Sequence, residues 1–248
     1  MTMNADGNGY KRALITGGSR GIGLAIARTL AEDGYRLVLT ARTEDRLVAA
    51  AAELRADGHV VEHVAADLTS DEGRAAVVAA CGPDGLDVLV LNAGAGWAAP
   101  FAQLPRRGFD RVLGVNFVSP FLLLQSLMDR LHLAAGERGS ATVIAISSIT
   151  SMYSGSQLSI YAASKAALTS LCRTVNIESS ASGVRAVAIC PAYVDTDMAR
   201  WAHHRVPQET MMPAHDIAEL ARCVVRLSPA AVIAEIIVAR AGTTLTSA

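Results

Sequence analysis

The chain has 248 residues, a formal charge of −1 and a hydrophobic content of 51%. That length is ample for a sizeable core, and the low charge with abundant aliphatics excludes disorder. The near-neutral balance gives no electrostatic basis for a nucleic-acid or anionic-membrane partner.

Alanine supplies 45 residues against 11 for Phe, Tyr and Trp together. The expected core therefore packs helices closely onto a sheet through small side chains. The four cysteines, Cys81, Cys172, Cys190 and Cys223, form no CxxC pair and have no His at metal-ligand spacing. They read as reduced residues of a cytoplasmic protein. His203 and His204 lack a third ligand, and no metal is expected. Residues 1–10 contain no apolar signal-peptide core and are expected to be flexible. The longest apolar run, Phe117 to Met128, is interrupted by Ser, Pro and Gln, so no membrane span is expected.

In chain order, Ala13–Thr16 reads as a strand and about Ile22 to Asp33 as a helix. Arg36–Thr40 is a second strand, and Thr43 is the expected cap of a helix through Leu47, Ala51 and Leu54. Val60–Ala65 is a third strand, with Ser70 capping a helix toward Cys81. Val88–Asn92 is the fourth, followed by a helix around Val115–Leu131. Ala141–Ser147, the long helix Ile160–Ser180 and Arg185–Cys190 come next. A helix at Asp216–Arg226 and a strand at Ile233–Val238 close the series. The interior strands are continuous apolar runs, as expected of parallel strands covered on both faces. Seven strands alternating with about six helices predict one Rossmann-like, doubly wound α/β domain over residues 1–248.

Between the first strand and first helix lies Thr16-Gly17-Gly18-Ser19-Arg20-Gly21-Ile22-Gly23. Glycines admit positive φ and close backbone approach to a pyrophosphate, and the helix N-terminus supplies N–H donors. An ordinary glycine-rich turn is the bland alternative; its place in the first βα unit favours the phosphate reading. No Gly-Lys-Ser/Thr follows, which excludes a P-loop NTPase. The spacing is GxxxGxG, and here the sequence resembles the single-domain short-chain dehydrogenase/reductase family, whose turn reads TGxxxGIG. The resemblance extends over essentially the whole chain.

Tyr161 and Lys165 stand at i and i+4 on one helical face. The chain holds two lysines, Lys11 and Lys165, so the pairing carries information. A nearby positive charge favours phenolate and brings a phenol toward the working pH for proton transfer. The resemblance implies a tetrad. Tyr161 is its general acid/base, and Lys165 lowers the phenol pKa and holds the nicotinamide ribose. Ser148 orients the substrate oxygen, with Ser147 as competing assignment. Asn116 orders a water behind the lysine.

An acidic residue at the end of the second strand would bond a ribose 2′-hydroxyl and repel a 2′-phosphate. This chain has Ala41 there, then Arg42, with Arg20 inside the turn. Two guanidiniums converging on that corner suit the dianionic 2′-phosphate, so NADP is preferred to NAD. The family pattern further implies Asp67 at the adenine, Asn92-Ala93-Gly94 against the adenosine ribose, and Pro191, Val194 and Thr196 around the nicotinamide. The family's Gly after that proline is here Ala192, which lacks access to positive φ.

Trp97, Met152, Tyr153, Tyr193, Met198 and Trp201 fall in the segments expected to line the substrate pocket. A short lid is expected from Ala199 to about Ala214. The tail departs from the family's Val-Asp-Gly-Gly-like ending. The implied activity is NADPH-dependent reduction of a ketone to a secondary alcohol. The alternatives are alcohol oxidation by the same site and a non-catalytic NADP-binding sensor or scaffold. The expected partners are a small carbonyl or alcohol substrate and a second or further copies of the chain. Phe117, Phe121, Leu124, Leu168 and Leu171 are consistent with a homodimer or homotetramer.

Overall fold

Four-residue runs such as Val88–Leu91 are buried at every position, so each such strand needs cover on both faces. The computed structural model describes residues 10–244. Of the start expected to be flexible, residues 1–10, the first nine lie outside the described residues. Tyr10, the last position of that expectation, has its ring 3.8 Å from the Arg36 guanidinium.

The strands are β1 (Arg12–Thr16), β2 (Arg36–Ala41), β3 (Val61–Ala65), β4 (Val88–Leu91), β5 (Ala141–Ile146), β6 (Val184–Pro191) and β7 (Glu235–Val238). They form one sheet in the order β3-β2-β1-β4-β5-β6-β7. Every pairing is parallel, with Ala13 opposite Leu37 on one side and Val88 on the other. The helices are α1 (Gly21–Glu32), α2 (Glu44–Ala56), α3 (Asp71–Ala80), α4 (Arg106–Leu113), α5 (Ser119–Arg138), α6 (Ser159–Ser179) and α7 (Ala214–Arg226).

Two apolar layers flank the sheet. Ile26 and Leu30 of α1, Leu47 and Leu54 of α2 and Ile217 of α7 pack with Ala13 and Ile15. On the other face Val77 of α3, Leu123 and Leu127 of α5 and Leu168 of α6 pack with Leu14 and Leu89. Successive residues of β1 thus serve opposite layers. The chain reverses its direction of winding between β1 and β4, and a crevice opens at their carboxyl ends.

Several local expectations are corrected. Thr43 occupies the N-cap position of α2 but makes no side-chain cap hydrogen bond, whereas Ser70 accepts from Gly73 N at 3.0 Å. The helix expected at Val115–Leu131 begins earlier and ends later. It comprises α4, a π-helical turn at Gly114–Val118 and α5. Pro120 has no N–H to give the carbonyl of Asn116, four residues before it, and the widened turn falls at that place. The stretch Arg106–Arg138 is long and apolar enough by composition to cross a membrane. Its Leu123, Leu127, Leu131 and Ala134 are buried in the core layer, which accounts for that apolarity.

Candidate active site

A cleft of about 1370 Å³ follows the carboxyl ends of the strands. Its floor is fixed by two residues. Thr16 Oγ1 donates to Val90 O at 3.0 Å and accepts from the N–H groups of Asn92 and Ala93. The Asn92 amide donates to Thr16 O at 2.9 Å and Gly17 O at 3.2 Å. Asn92 therefore clips the glycine turn to β4. Gly17 and Gly21 have φ of 66° and 55°, the left-handed region that glycine adopts without strain. A Cβ on Gly17 would lie 2.7 Å from the Asn92 amide nitrogen. Gly23 does not line the cleft; it is buried against the same amide and the Gly17 carbonyl.

Gly17, Ser19, Arg20, Gly21, Ile22, Arg42, Asp67, Asn92, Ala93, Gly94, Ser148, Tyr161, Lys165, Pro191, Val194 and Thr196 all line the cleft. The turn leads into the N-terminus of α1, and the cleft wall beyond the second strand carries Arg42, with Arg20 and Arg46 in the same lining. This donor set suits a dinucleotide with a 2′-phosphate. Asp67 Oδ1 accepts from Thr69 N at 2.9 Å and Thr69 Oγ1 at 2.7 Å. These bonds, with a smaller contribution from Arg42, hold its carboxyl below the usual range.

Arg20 lines the cleft together with Arg42, and its guanidinium is paired with Asp197. Arg46, on the first turn of α2, lies 3.7 Å from the same carboxylate and lines the cleft. Sequence reasoning missed both Arg46 and Asp197.

At the catalytic end the two serines separate. Ser147 Oγ bonds Lys165 O at 3.0 Å and Thr169 Oγ1 at 2.8 Å, facing α6. The Ser148 hydroxyl accepts from Thr150 N at 3.2 Å and lies near enough to the Tyr161 phenol to act on its pKa, so Ser148 is the serine beside the phenol. Burial pushes the phenol above its usual pKa, partly offset by Ser148 and reinforced by Tyr193. Burial lowers Lys165 to about 8. The ammonium donates to Ile146 O at 2.7 Å and lies 5.8 Å from the Tyr161 ring centroid. The expected lowering of the phenol pKa by Lys165 is thus not the net result here: burial dominates.

Asn116 sits in the π turn, buried. Its amide oxygen accepts from Ala95 N at 2.8 Å, and its amide nitrogen donates to Ala95 O at 3.0 Å and Ser164 Oγ at 3.1 Å. The side chain joins the loop after β4 to α6. Gly94 brings it close to the lysine: a Cβ there would lie 3.6 Å from Asn116 Oδ1 and 3.7 Å from Lys165 Nζ.

Trp97, Tyr153, Tyr193 and Met198 line the substrate end. Met152 packs instead against the core, and the side chain of Trp201 lies outside those described. Gly108 of α4 admits the Trp97 indole, since a Cβ there would come within 2.8 Å of it. Ala192 is accommodated without positive φ, its N–H donating to Val238 O at 2.8 Å. The segment expected to form the lid holds a small apolar cluster of Ala199, Ala202, Val206 and Met211. In the tail, Arg240 lies 5.7 Å from the Tyr193 ring centroid and donates to Thr210 Oγ1 at 3.1 Å. Leu124 and Leu168, offered as contacts between copies, are buried in the core, and Leu171 packs against it. Among the described residues no three His, Cys, Asp or Glu side chains gather as a metal site.

Residues 11–206 match the family model of short chain dehydrogenases. The rhamnolipid-biosynthesis 3-oxoacyl-[acyl-carrier-protein] reductase of Pseudomonas aeruginosa is 36% identical over 76% of this chain and 74% of its own. The solved alcohol dehydrogenase of Thermococcus sibiricus, complexed with 5-hydroxy-NADP, superposes with a TM-score of 0.83 at 31% identity, covering 94% of this chain and 97% of that one. A variant of the actinorhodin polyketide ketoreductase, solved with NADPH, gives a TM-score of 0.84 at 26% identity, covering 96% and 97%. With the glycine turn, the parallel sheet and this match over most of its length, the chain belongs to the short-chain dehydrogenase family.

Proposed function

We propose that this chain reduces a ketone to a secondary alcohol with NADPH, using Tyr161 as general acid. The observation that carries the reading is the gathering of Ser148, Tyr161 and Lys165 in one cleft, the phenol and the ammonium one helical turn apart on α6. The likeness to a 3-oxoacyl reductase and to a polyketide ketoreductase with NADPH supports the reaction and the coenzyme.

When bound, the coenzyme supplies the hydride that reaches the carbonyl carbon. The chain's residues do the remaining work. Ser148 donates to the substrate oxygen and sets its distance from the phenol. Tyr161 transfers its proton to that oxygen as negative charge develops, and the phenolate is then reprotonated from solvent. A raised phenol pKa keeps the proton in place until the oxygen becomes basic. Lys165 sits where its charge stabilises the phenolate once the proton has left. Asn116 positions the loop after β4 against α6 beside the lysine. Gly17, Ser19, Gly21 and Ile22 hold the pyrophosphate, with Gly23 and Asn92 shaping the turn. Arg20 and Arg42 hold the 2′-phosphate, while Asp67, Ala93 and Gly94 hold the adenosine. Pro191, Val194 and Thr196 hold the nicotinamide.

The whole chain works as one oxidoreductase domain on a small carbonyl substrate. A homodimer or homotetramer is supported by the exposed Phe121 and Val118 of the α5 region and Ile177 of α6. A cytoplasmic location is supported by four unpaired cysteines. The reading is tested by coenzyme absorbance with a panel of ketones, β-ketoacyl thioesters included, using NADPH and NADH in parallel. NADPH-dependent turnover of at least one ketone is expected. Preference for NADH, or turnover confined to alcohols with the oxidised coenzyme, contradicts it.

A further inference from the structure

Three guanidiniums converge on one carboxylate at the mouth of the cleft. Arg20, at the start of α1, is hydrogen-bonded to Asp197 Oδ2. Arg46 Nη1 lies 3.7 Å from that same oxygen, and Arg200 Nη2 lies 2.6 Å from Oδ1. All four residues line the cleft together with Thr40, Ala41, Arg42 and Thr43. The pairs join elements far apart in sequence: the glycine turn, the first turn of α2 and the segment after β6. Arg20 and Arg46 are thus each engaged by Asp197 in the same cleft that the end of β2 lines.

A 2′-phosphate at that strand end is a dianion with three acceptor oxygens, and guanidinium binds such a group through two parallel bonds. It and the Asp197 carboxylate compete for the same cations. A coenzyme with a bare 2′-hydroxyl makes no such demand and leaves the pairs with Asp197 intact. We infer that Asp197 is an internal competitor of the coenzyme 2′-phosphate for Arg20 and Arg46, and that Arg46 and Asp197 together set the margin of selectivity for NADPH over NADH. This rests on the proposed NADP reading and adds two residues that act in opposite directions on it.

The test is direct binding of NADPH and NADH to the purified protein, followed by coenzyme fluorescence, for wild type, Asp197→Asn and Arg46→Gln. Both side chains reach solvent, and a thermal melt of each variant checks that it is folded. Asp197→Asn removes the competing charge and keeps the shape. It is expected to tighten NADPH about two- to five-fold, the range of an exposed ion pair, and to leave NADH unchanged. Arg46→Gln is expected to weaken NADPH about tenfold, in line with loss of one charge-assisted bond, again sparing NADH. Equal weakening of both coenzymes by Asp197→Asn would make the carboxylate a clamp over bound coenzyme and overturn the inference. An unchanged NADPH-to-NADH ratio in both variants would also overturn it. Wild type binding NADH as tightly as NADPH would remove the NADP reading itself; a wild-type preference for NADPH with unresponsive variants removes the inference alone.

Discussion

Lys165 Nζ donates to the carbonyl oxygen of Ile146 at 2.7 Å. Ile146 ends β5 two residues before Ser148, so one bond ties the lysine to the strand that presents the serine. The lysine is 4% exposed, and burial lowers its pKa to about 8.

This linkage predicts a pH signature in stability. Between about pH 8 and the usual lysine pKa near 10.4, the unfolded chain holds a proton at Lys165 that the folded chain has released. Stability contributed by this group therefore rises with pH from about 8 toward 10. Above about pH 10 the Tyr161 phenol, held protonated by burial, pulls in the opposite direction. Burial also holds the Cys81, Cys172 and Cys190 thiols protonated in the folded chain, which lowers stability over the same range in any variant. The readout is therefore the difference in urea stability between wild type and Lys165→Met, expected to rise with pH from about 8 toward 10. A pH-independent difference would contradict the burial of this lysine.

The two adjacent serines should behave differently when each becomes alanine. Ser147→Ala removes contacts with Lys165 O and Thr169 Oγ1 and is expected to lose about 1–3 kcal/mol of stability. Ser148→Ala removes one bond accepted from Thr150 N, is expected to lose about 0.5–1 kcal/mol, and lowers kcat by about tenfold or more through lost substrate orientation. Denaturation midpoints and steady-state rates measured on the same preparations separate the two effects.

At the opposite end of the sheet, Arg138 Nε lies 2.6 Å from Asp87 Oδ1, and Arg12 N donates to Asp87 Oδ2 at 2.7 Å. The Arg138 and Asp87 side chains are largely buried, at 10% and 5% exposure. Asp87→Ala removes the buried one of two carboxylates on the Arg138 guanidinium, which keeps Glu137 at 2.6 Å, and is expected to destabilise the protein by about 1–3 kcal/mol. The site lies away from the cleft, so kcat should be retained at temperatures where the variant is folded. Lost activity in a fully folded variant would show that the pair also shapes the site.

Gly23→Ala tests the clip under the glycine turn. The added methyl meets the Asn92 amide and the Gly17 carbonyl, so the turn must shift. NADPH affinity should fall by about tenfold or more, the scale of one displaced charge-assisted bond, with the sheet intact by circular dichroism. Unchanged affinity would show that the turn tolerates the displacement.

Much of the layout was legible because the strands are runs such as Val-Leu-Val-Leu, long enough to mark parallel strands but too uniform to be half-exposed ones. Tyr161, Lys165 and the glycine turn were legible because their spacing is local. The helix α4 was missed: it is short, begins with Arg106-Arg107-Gly108, and its apolar stripe of Phe109, Val112 and Leu113 covers barely one turn. The π turn at Asn116 left one clue, Pro120, whose missing donor has no visible effect until the helix is built. The direction faced by Leu124 and Leu168 could not be read from helices that are apolar over much of their circumference. Arg20 met a partner 177 residues away in sequence, and no local pattern announces such a pair.

The most direct test of the proposed reaction is the Tyr161→Phe variant, with NADPH oxidation measured alongside NADPH binding on one preparation. The phenyl ring keeps the shape of the site and removes the proton. Turnover is predicted to fall by about 10²–10⁴-fold while NADPH binding is retained. Undiminished turnover in a folded, NADPH-binding Tyr161→Phe protein would contradict Tyr161 as the proton donor.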